Sequence, residues 1–200
     1  KPLTAFSPEG IFPGYPQPAG DPFSVRRARA LLAEAGYRSA SGEYDPSTFP
    51  ISEVELTYNT TERNRQIAEF VQAQWKQNLG LTVSLKNMEW KTFLDHRAKL
   101  EYKGVARAGW VGDYMDPNTF LELFTTKTGD NGTGWYDQRF VDTLKAANRQ
   151  TDQGRRYAMM AEAEKMLLDA QPVIPLASSS TNWVKKPYVK GMYPNPVTIH

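Results

Sequence analysis

Residues 54–85, VELTYNTTERNRQIAEFVQAQWKQNLGLTVSL, contain a strand, a helix and a second strand in succession. The first six, VELTYN at 54–59, are rich in residues that favour strands. Apolar residues then recur at helical spacing over 61–79, and Gly80 follows where a helix-ending glycine is common. Residues 81–85 alternate between apolar and polar side chains, as a strand does. Two strands joined by a helix are typical of a parallel sheet.

The same alternation continues on both sides of residues 54–85 and predicts the fold class. Asp21 and Pro22 form a typical helix start, and Asp116 with Pro117 forms another. Alternating strands and helices indicate an α/β protein with a mostly parallel, helix-covered sheet. The other predicted elements are a helix over about 21–35, a helix carrying Trp90, Phe93, Leu94 and Arg97, a third strand beginning at Val105, a helix carrying Phe120, Leu121 and Phe124, helices near 138–149 and 152–170, and a fourth strand in VIPLASS, residues 173–179.

The composition is that of an ordinary globular protein. Of the 200 residues, 40% are hydrophobic and 23% are charged, and the formal net charge is +2. No apolar run approaches the roughly 20 residues needed to cross a bilayer. The basic residues are scattered instead of forming a stripe, which argues against nucleic acid as a partner. The sequence has no cysteine, so disulfides, thiol catalysis and cysteine-bound zinc are excluded.

Residues 105–117, VARAGWVGDYMDP, form the candidate binding segment, because ligands of open α/β sheets bind beyond the carboxyl ends of the strands. Gly109 and Gly112 indicate either a close approach of another backbone or a bulge or tight exit from the strand. Arg107 stands between two alanines on the predicted strand and needs a partner if it is buried. That partner is either a ligand or a structural salt bridge.

Three other side chains of this segment have competing interpretations. Trp110 is either part of the core or a platform for a ligand. Asp116 directly precedes Pro117 and fits a helix cap. Asp113 has no such local role, so it is the stronger candidate for binding.

Four stretches of the chain carry a resemblance to a known family. They are LTYNTTERNRQIAEFVQAQWKQNLGLTVSLKNMEWKTFLDHR (56–97), VARAGWVGDYMDPNTFLELF (105–124), GWYDQRFVDTL (134–144) and AEAEKMLLDAQPVIPL (161–176). Together they are similar to the C-terminal lobe of the oligopeptide-binding proteins that serve ABC importers, within bacterial solute-binding family 5, and EWKTFLD (89–95) is specific to the peptide-binding branch. The resemblance implies an α/β lobe of the two-lobed periplasmic-binding-protein type II fold, and it runs over nearly the whole chain.

The resemblance also implies how the chain is organised and where it works. The chain is expected to be a fragment, with a proline-rich hinge or connector at 1–20 on the surface, the C-terminal ligand-binding lobe at 21–185, and a tail at 186–200 that returns toward an N-terminal lobe. The implied partners are short peptides, that N-terminal lobe and the membrane permease of an ABC importer. No cofactor is expected. The implied location is the periplasm or cell envelope, with a lipid anchor in some members.

Members of the family hold an extended peptide and neutralise both of its charged ends, which assigns roles to residues of this chain. By resemblance, Asp113 binds the peptide amino group. Arg107 and Arg97 bind the peptide carboxylate, for which the planar guanidinium is well suited. The main chain of Gly109, Trp110 and Val111 pairs with the peptide as an added strand, and Asn59 lines the cleft.

Other functions remain open at this point. The same receptor class also includes proteins for other solutes, such as a cell-wall peptide, a sugar or a metal complex. A peptide hydrolase is less favoured, because Asp113 and Asp116 alone do not supply a positioned acid and base. The only histidines, His96 and His200, are far apart in the sequence, and this argues against a catalytic dyad and against a metal site.

Overall fold

The computed structural model describes residues 2–179 and 184–191. It divides the chain into two compact units. The sheet unit is Pro22–Gly109, and the helical unit combines Lys1–Asp21 with Trp110–His200. The helices and strands, in chain order, are α1 Val25–Glu34, β1 Glu55–Asn59, α2 Glu62–Leu79, β2 Ser84–Met88, α3 Trp90–Ala98, β3 Gly104–Ala106, α4 Asn118–Leu121, α5 Gln138–Ala147 and α6 Gln153–Ala170.

The sheet unit contains a parallel sheet of strand order β2-β1-β3. Leu56 of β1 is in register with Leu85 of β2 on one side and with Val105 of β3 on the other. Leu56, Tyr58 and Val83 are buried together with Ala68 of α2, which packs this helix against the sheet. The predicted parallel sheet covered by helices is therefore confirmed.

Local side-chain contacts set the ends of the helices in this unit. The α2 helix is confirmed almost as predicted, because the Thr61 side chain accepts from the Asn64 amide and Gly80 ends the helix with φ 71°. The predicted start of α1 at Asp21 is wrong. The Ser24 side chain accepts from the Arg27 amide, so α1 begins at Val25.

Two of the predicted strands differ from the observed ones. The second strand lies at Ser84–Met88 instead of 81–85, although Leu81 and Val83 are buried just before it. The third strand is only Gly104–Ala106, because the Arg107 amide makes the last hydrogen bond to β1, at the Thr57 carbonyl.

The predicted fourth strand, residues 173–179, is not part of the sheet. It makes one antiparallel bridge, between Ala177 and Pro2, with the Leu3 amide donating to the Leu176 carbonyl. Proline at 172 and 175 removes backbone donors that a strand would need.

The helical unit is built on α5 and α6, whose predicted positions are confirmed. Its core contains Phe140 and Leu144 of α5 with Met160 and Leu167 of α6, all with 0% or 1% exposure. The predicted helix after Pro117 is confirmed as α4, which continues as a 3-10 turn over Glu122–Phe124.

Residues 2–20 contain no helix or regular strand, as predicted, but they are not a surface connector. Ala5, Ser7 and Phe12 are buried. The reason is a carboxylate: Glu164 of α6, fully buried, accepts from the Ser7 amide and hydroxyl and from the Tyr15 hydroxyl at 2.6–2.7 Å. Burial and the charge of Glu164 raise the pKa of the Tyr15 phenol.

The proposed boundaries at 1–20, 21–185 and 186–200 remain predictions, and the tail beyond Gly191 lies outside the described residues. Within the described part of the chain, none of the helices combines the length and apolar character that crossing a membrane requires.

Candidate functional site

The backbone that follows β3 has unsatisfied pairing capacity. β3 lies at an edge of the sheet that the described residues form. After the Arg107 amide, residues 108–112 make no backbone-to-backbone hydrogen bond within the described part of the chain. Gly109 is exposed, and Val111 is 59% exposed. The main chain predicted to pair with a ligand is thus open to hydrogen bonding.

Arg107 lies among like charges in the sheet unit. Burial, followed by the positive charges of Arg63 and Arg97, lowers the pKa of its guanidinium. Residues 2–179 and 184–191 provide none of these three arginines with an ion pair. The structural salt bridge considered for Arg107 is therefore not found among the described residues. An anion would relieve the repulsion among the three guanidinium groups.

Sequence reasoning missed Arg63. This residue lies in the first turn of α2, where a positive charge is unfavourable with respect to the helix dipole. Helix stability therefore does not explain it. The signal in the sequence is positional: Arg63 follows the carboxyl end of β1, Arg107 follows the carboxyl end of β3, and these strands are parallel neighbours.

Asn59 has a structural contact of its own. It is the last residue of β1 and is 8% exposed. The Asn64 side chain donates to its Oδ1 at 2.8 Å and to its main-chain oxygen at 3.1 Å. This contact joins the end of β1 to the start of α2, and the cleft-lining role of Asn59 remains a prediction.

In the helical unit, Thr119 holds both ends of the segment that carries Asp113. The Trp110 indole Nε1 donates to the Thr119 carbonyl at 2.8 Å, and the Asp113 amide donates to Thr119 Oγ1 at 2.9 Å. Trp110 is half-buried, so it is not a fully buried core residue, and its role as a platform for a ligand remains a prediction. The Asp113 side chain is exposed and accepts no hydrogen bond from any residue in the described ranges.

Asp116 is engaged in structure instead of being available for chemistry. Its carboxylate accepts from the Asn118 amide at 2.9 Å, as the predicted cap, and forms a two-point ion pair with Arg156 of α6. Hydrogen bonding to Asp116 raises the pKa of Arg156. Sequence reasoning missed Arg156, which is 40 residues away along the chain. Asp113 and Asp116 are thus in different environments, the first exposed and the second in an ion pair.

The described residues also show no candidate metal centre. No group of three or more histidines, cysteines, aspartates or glutamates within them is placed to hold a metal ion. In α3, Nδ1 of His96 lies 3.1 Å from Oε2 of Glu101. His200 lies outside the described residues.

A protein-family model matches more than half of the chain. Residues 1–132 match the model of the bacterial extracellular solute-binding proteins, family 5 Middle. The chain belongs to family 5 of these proteins. The predicted family is confirmed, and so is the fold class, since the similar solved structures are two-lobed periplasmic binding proteins.

Several relatives of this family-5 chain are named for peptides. The oligopeptide-binding protein OppA of Bacillus subtilis is 37% identical over 143 residues, or 71% of this chain and 26% of that protein. The periplasmic murein peptide-binding protein MppA of Escherichia coli is 34% identical over 201 residues, or 100% of this chain and 36% of that protein. The structure of Haemophilus influenzae OppA complexed with RPPGFSPFR has a TM-score of 0.76 at 28% identity, covering 88% of this chain and 34% of that one.

This family-5 chain thus spans 26–36% of the length of the curated relatives compared. The roles assigned to Asp113, Arg107, Arg97 and Asn59, and to the main chain of Gly109–Val111, remain predictions for this chain.

Proposed function

We propose that this family-5 chain is the C-terminal lobe of an extracytoplasmic receptor that captures short peptides and delivers them to the permease of an ABC importer. An N-terminal lobe would complete the receptor. One observation carries the proposal. Along the chain, residues 108–112, whose backbone is unpaired, follow Arg107, whose charge has no carboxylate partner in the described ranges, and precede Asp113, whose carboxylate is exposed.

The chemistry of these groups fits a peptide better than other solutes. A peptide has a backbone that pairs with an edge strand, an ammonium group for Asp113 and a carboxylate for Arg107. Arg97 and Arg63 add positive charge to the carboxylate site. Main-chain pairing recognises no side chain, so it accepts peptides of different sequence.

Cell-wall peptides are the second candidate solute, because they too carry charged ends and MppA is named for a murein peptide. A sugar offers neither charge. For a metal complex, residues 2–179 and 184–191 contain no group of three or more histidines, cysteines, aspartates or glutamates that could hold the metal ion. We propose a binding role without catalysis, because the Asp116 carboxylate already accepts hydrogen bonds from Arg156 and from the Asn118 amide at the start of α4.

Solute class is tested by thermal unfolding of the two-lobed receptor with each candidate solute. A solute that binds only the folded state raises the midpoint by mass action. We expect linear tri- and tetrapeptides to raise it more than a murein tripeptide, and an oligosaccharide to leave it unchanged. A rise with the oligosaccharide and none with the linear peptides would contradict the proposal.

A further inference from the structure

Thr119 is a fully buried residue that contacts the candidate binding segment at two points. Its exposure is 0%, and it lies in α4, all four residues of which are buried. Its carbonyl accepts from Trp110 and its hydroxyl oxygen accepts from the Asp113 amide. The two hydrogen bonds enclose Val111 and Gly112, so one residue fixes both ends of a four-residue segment.

Gly112 brings this segment close to α4. A Cβ added at Gly112 would lie 2.9 Å from Cγ2 of Thr119 and 3.2 Å from Cε2 of Phe120. Any larger residue would push the segment away from α4 or displace these buried side chains. The close approach at Gly112 is therefore to two side chains of α4, and not to another backbone.

The α4 helix is well supported for this role. Asn118 donates to the Tyr114 hydroxyl at 2.7 Å and to Glu122 at 2.9 Å, and it accepts from Asn148 at 2.9 Å. The ion pair between Asp116 and Arg156 joins the start of α4 to α6. The start of α4, next to Thr119, is thus tied to Asn148 and to α6.

We propose that Thr119 is a positioning residue that fixes the backbone of Asp113 and so directs its carboxylate toward the ligand ammonium group. This inference rests on the proposed function. Asp113 is exposed and its carboxylate has no partner in the described ranges, so the bond from its amide to Thr119 is the one hydrogen bond that these residues give it. If the segment samples other conformations, only a fraction of the molecules can bind the ligand. The observed affinity is then lower in proportion to that fraction.

The test compares Thr119→Val, which keeps the shape but removes the hydroxyl, with Thr119→Ser, which keeps the hydroxyl. Both are made in the two-lobed receptor and titrated calorimetrically with one tetrapeptide. Loss of a single hydrogen bond predicts about threefold to tenfold weaker binding for Thr119→Val. Thr119→Ser is expected to bind within about twofold of the wild type, because the acceptor is retained.

A double-mutant cycle with Asp113→Asn separates positioning from a general structural effect. If Thr119 acts through Asp113, Thr119→Val has little further effect on affinity in the Asp113→Asn background. An equal loss in both backgrounds would overturn the inference, and so would unchanged affinity of Thr119→Val. If Thr119→Val does not fold, Gly112→Ala takes its place in the cycle with the same expected pattern.

Hydrogen exchange of residues 110–117, measured without ligand, tests the positioning role of Thr119 separately from the proposed peptide-binding function. Faster exchange in Thr119→Val than in Thr119→Ser is expected, and equal exchange would overturn the inference even if the receptor binds peptides. If Asp113→Asn alone leaves tetrapeptide affinity unchanged, the amine site of the proposed function fails, and the role of Thr119 fails with it.

Discussion

Arg107 is held in a half-buried position among like charges, and this is unfavourable until an anion binds. The positive charges of Arg63 and Arg97 lower its pKa along with burial. A charge held in this way costs stability in the ligand-free protein. In the proposed binding role of Arg107, binding and folding make opposite demands on the same side chain.

Arg107→Gln is expected to weaken tetrapeptide binding by about tenfold or more, because hydrogen bonds to charged groups contribute strongly. The same change is expected to leave the free energy of unfolding of the ligand-free protein unchanged or slightly higher, since a repulsive charge is removed. Calorimetric titration and denaturant unfolding measure the two effects.

Arg26→Gln is the matched control, because Arg26 is an exposed arginine of α1 in the same unit. The loss of tetrapeptide affinity in Arg63→Gln should be larger than in Arg26→Gln and smaller than in Arg107→Gln, since Arg63 is exposed but interacts with Arg107. A loss of stability in Arg107→Gln without a loss of affinity would show that Arg107 is structural.

Sequence alone predicted Arg107 and Asp113 but not Arg63, Thr119 or Arg156. The first two belong to a motif that is continuous in the chain. Arg156 acts through a contact that depends on tertiary structure, since it pairs with Asp116, 40 residues away. No local pattern encodes such a contact.

At the scale of elements, α4 depends on a hydrogen-bonded tyrosine. The Tyr114 hydroxyl donates to Glu122 at 2.8 Å and accepts from Asn118 at 2.7 Å. Burial, together with the hydrogen bond to Glu122 and its charge, raises the pKa of Tyr114 to about 12. The folded state thus holds this proton more tightly than the unfolded state, in which a tyrosine titrates near about 10.

This pKa shift predicts a loss of stability in alkali. The contribution of Tyr114 is fully present below about pH 10 and is lost as the pH rises from there toward 12. Between pH 8 and 11, the free energy of unfolding of the wild type should fall more than that of Tyr114→Phe. Denaturant unfolding at pH 8 and pH 11 measures this fall in the free energy of unfolding. An equal fall in both proteins would refute the role of the hydrogen bond from Tyr114 to Glu122.

Helix positions followed from sequence better than strand ends did. Apolar periodicity and caps at Thr61 and Gly80 are local, and they gave α2 within one residue. The end of β3 depends on the partner strand, because its ladder stops at Arg107 where the chain leaves β1. Alternating apolar residues at 81–85 indicated a strand, but the pairing with β1 begins only at Ser84.

At the scale of the whole molecule, the N-terminal segment is integrated into the helical unit. The buried Glu164 carboxylate binds Ser7 and Tyr15, and Phe6 packs edge-on against Phe124 with ring centroids 5.1 Å apart. The proline-rich composition of residues 1–20 indicated irregular structure correctly. It could not indicate burial, which depends on a glutamate more than 140 residues away.

Glu164→Ala is expected to destabilise the protein by about 2–4 kcal/mol, because it leaves buried donors of Ser7 and Tyr15 unpaired. It should also speed hydrogen exchange in residues 3–17. Glu162→Ala, at an exposed position of the same helix, is the control and should change neither. Equal effects of the two substitutions would mean that the buried carboxylate does not hold the segment.

The receptor is proposed to bind a peptide through its charged ends, with Asp113 at the amino group. The most direct test is calorimetric titration of the two-lobed receptor with one tetrapeptide, free and N-acetylated. We expect tight binding of the free peptide and a loss of affinity of at least about tenfold on acetylation, since the ammonium charge is removed. Equal affinity for the two peptides would contradict it.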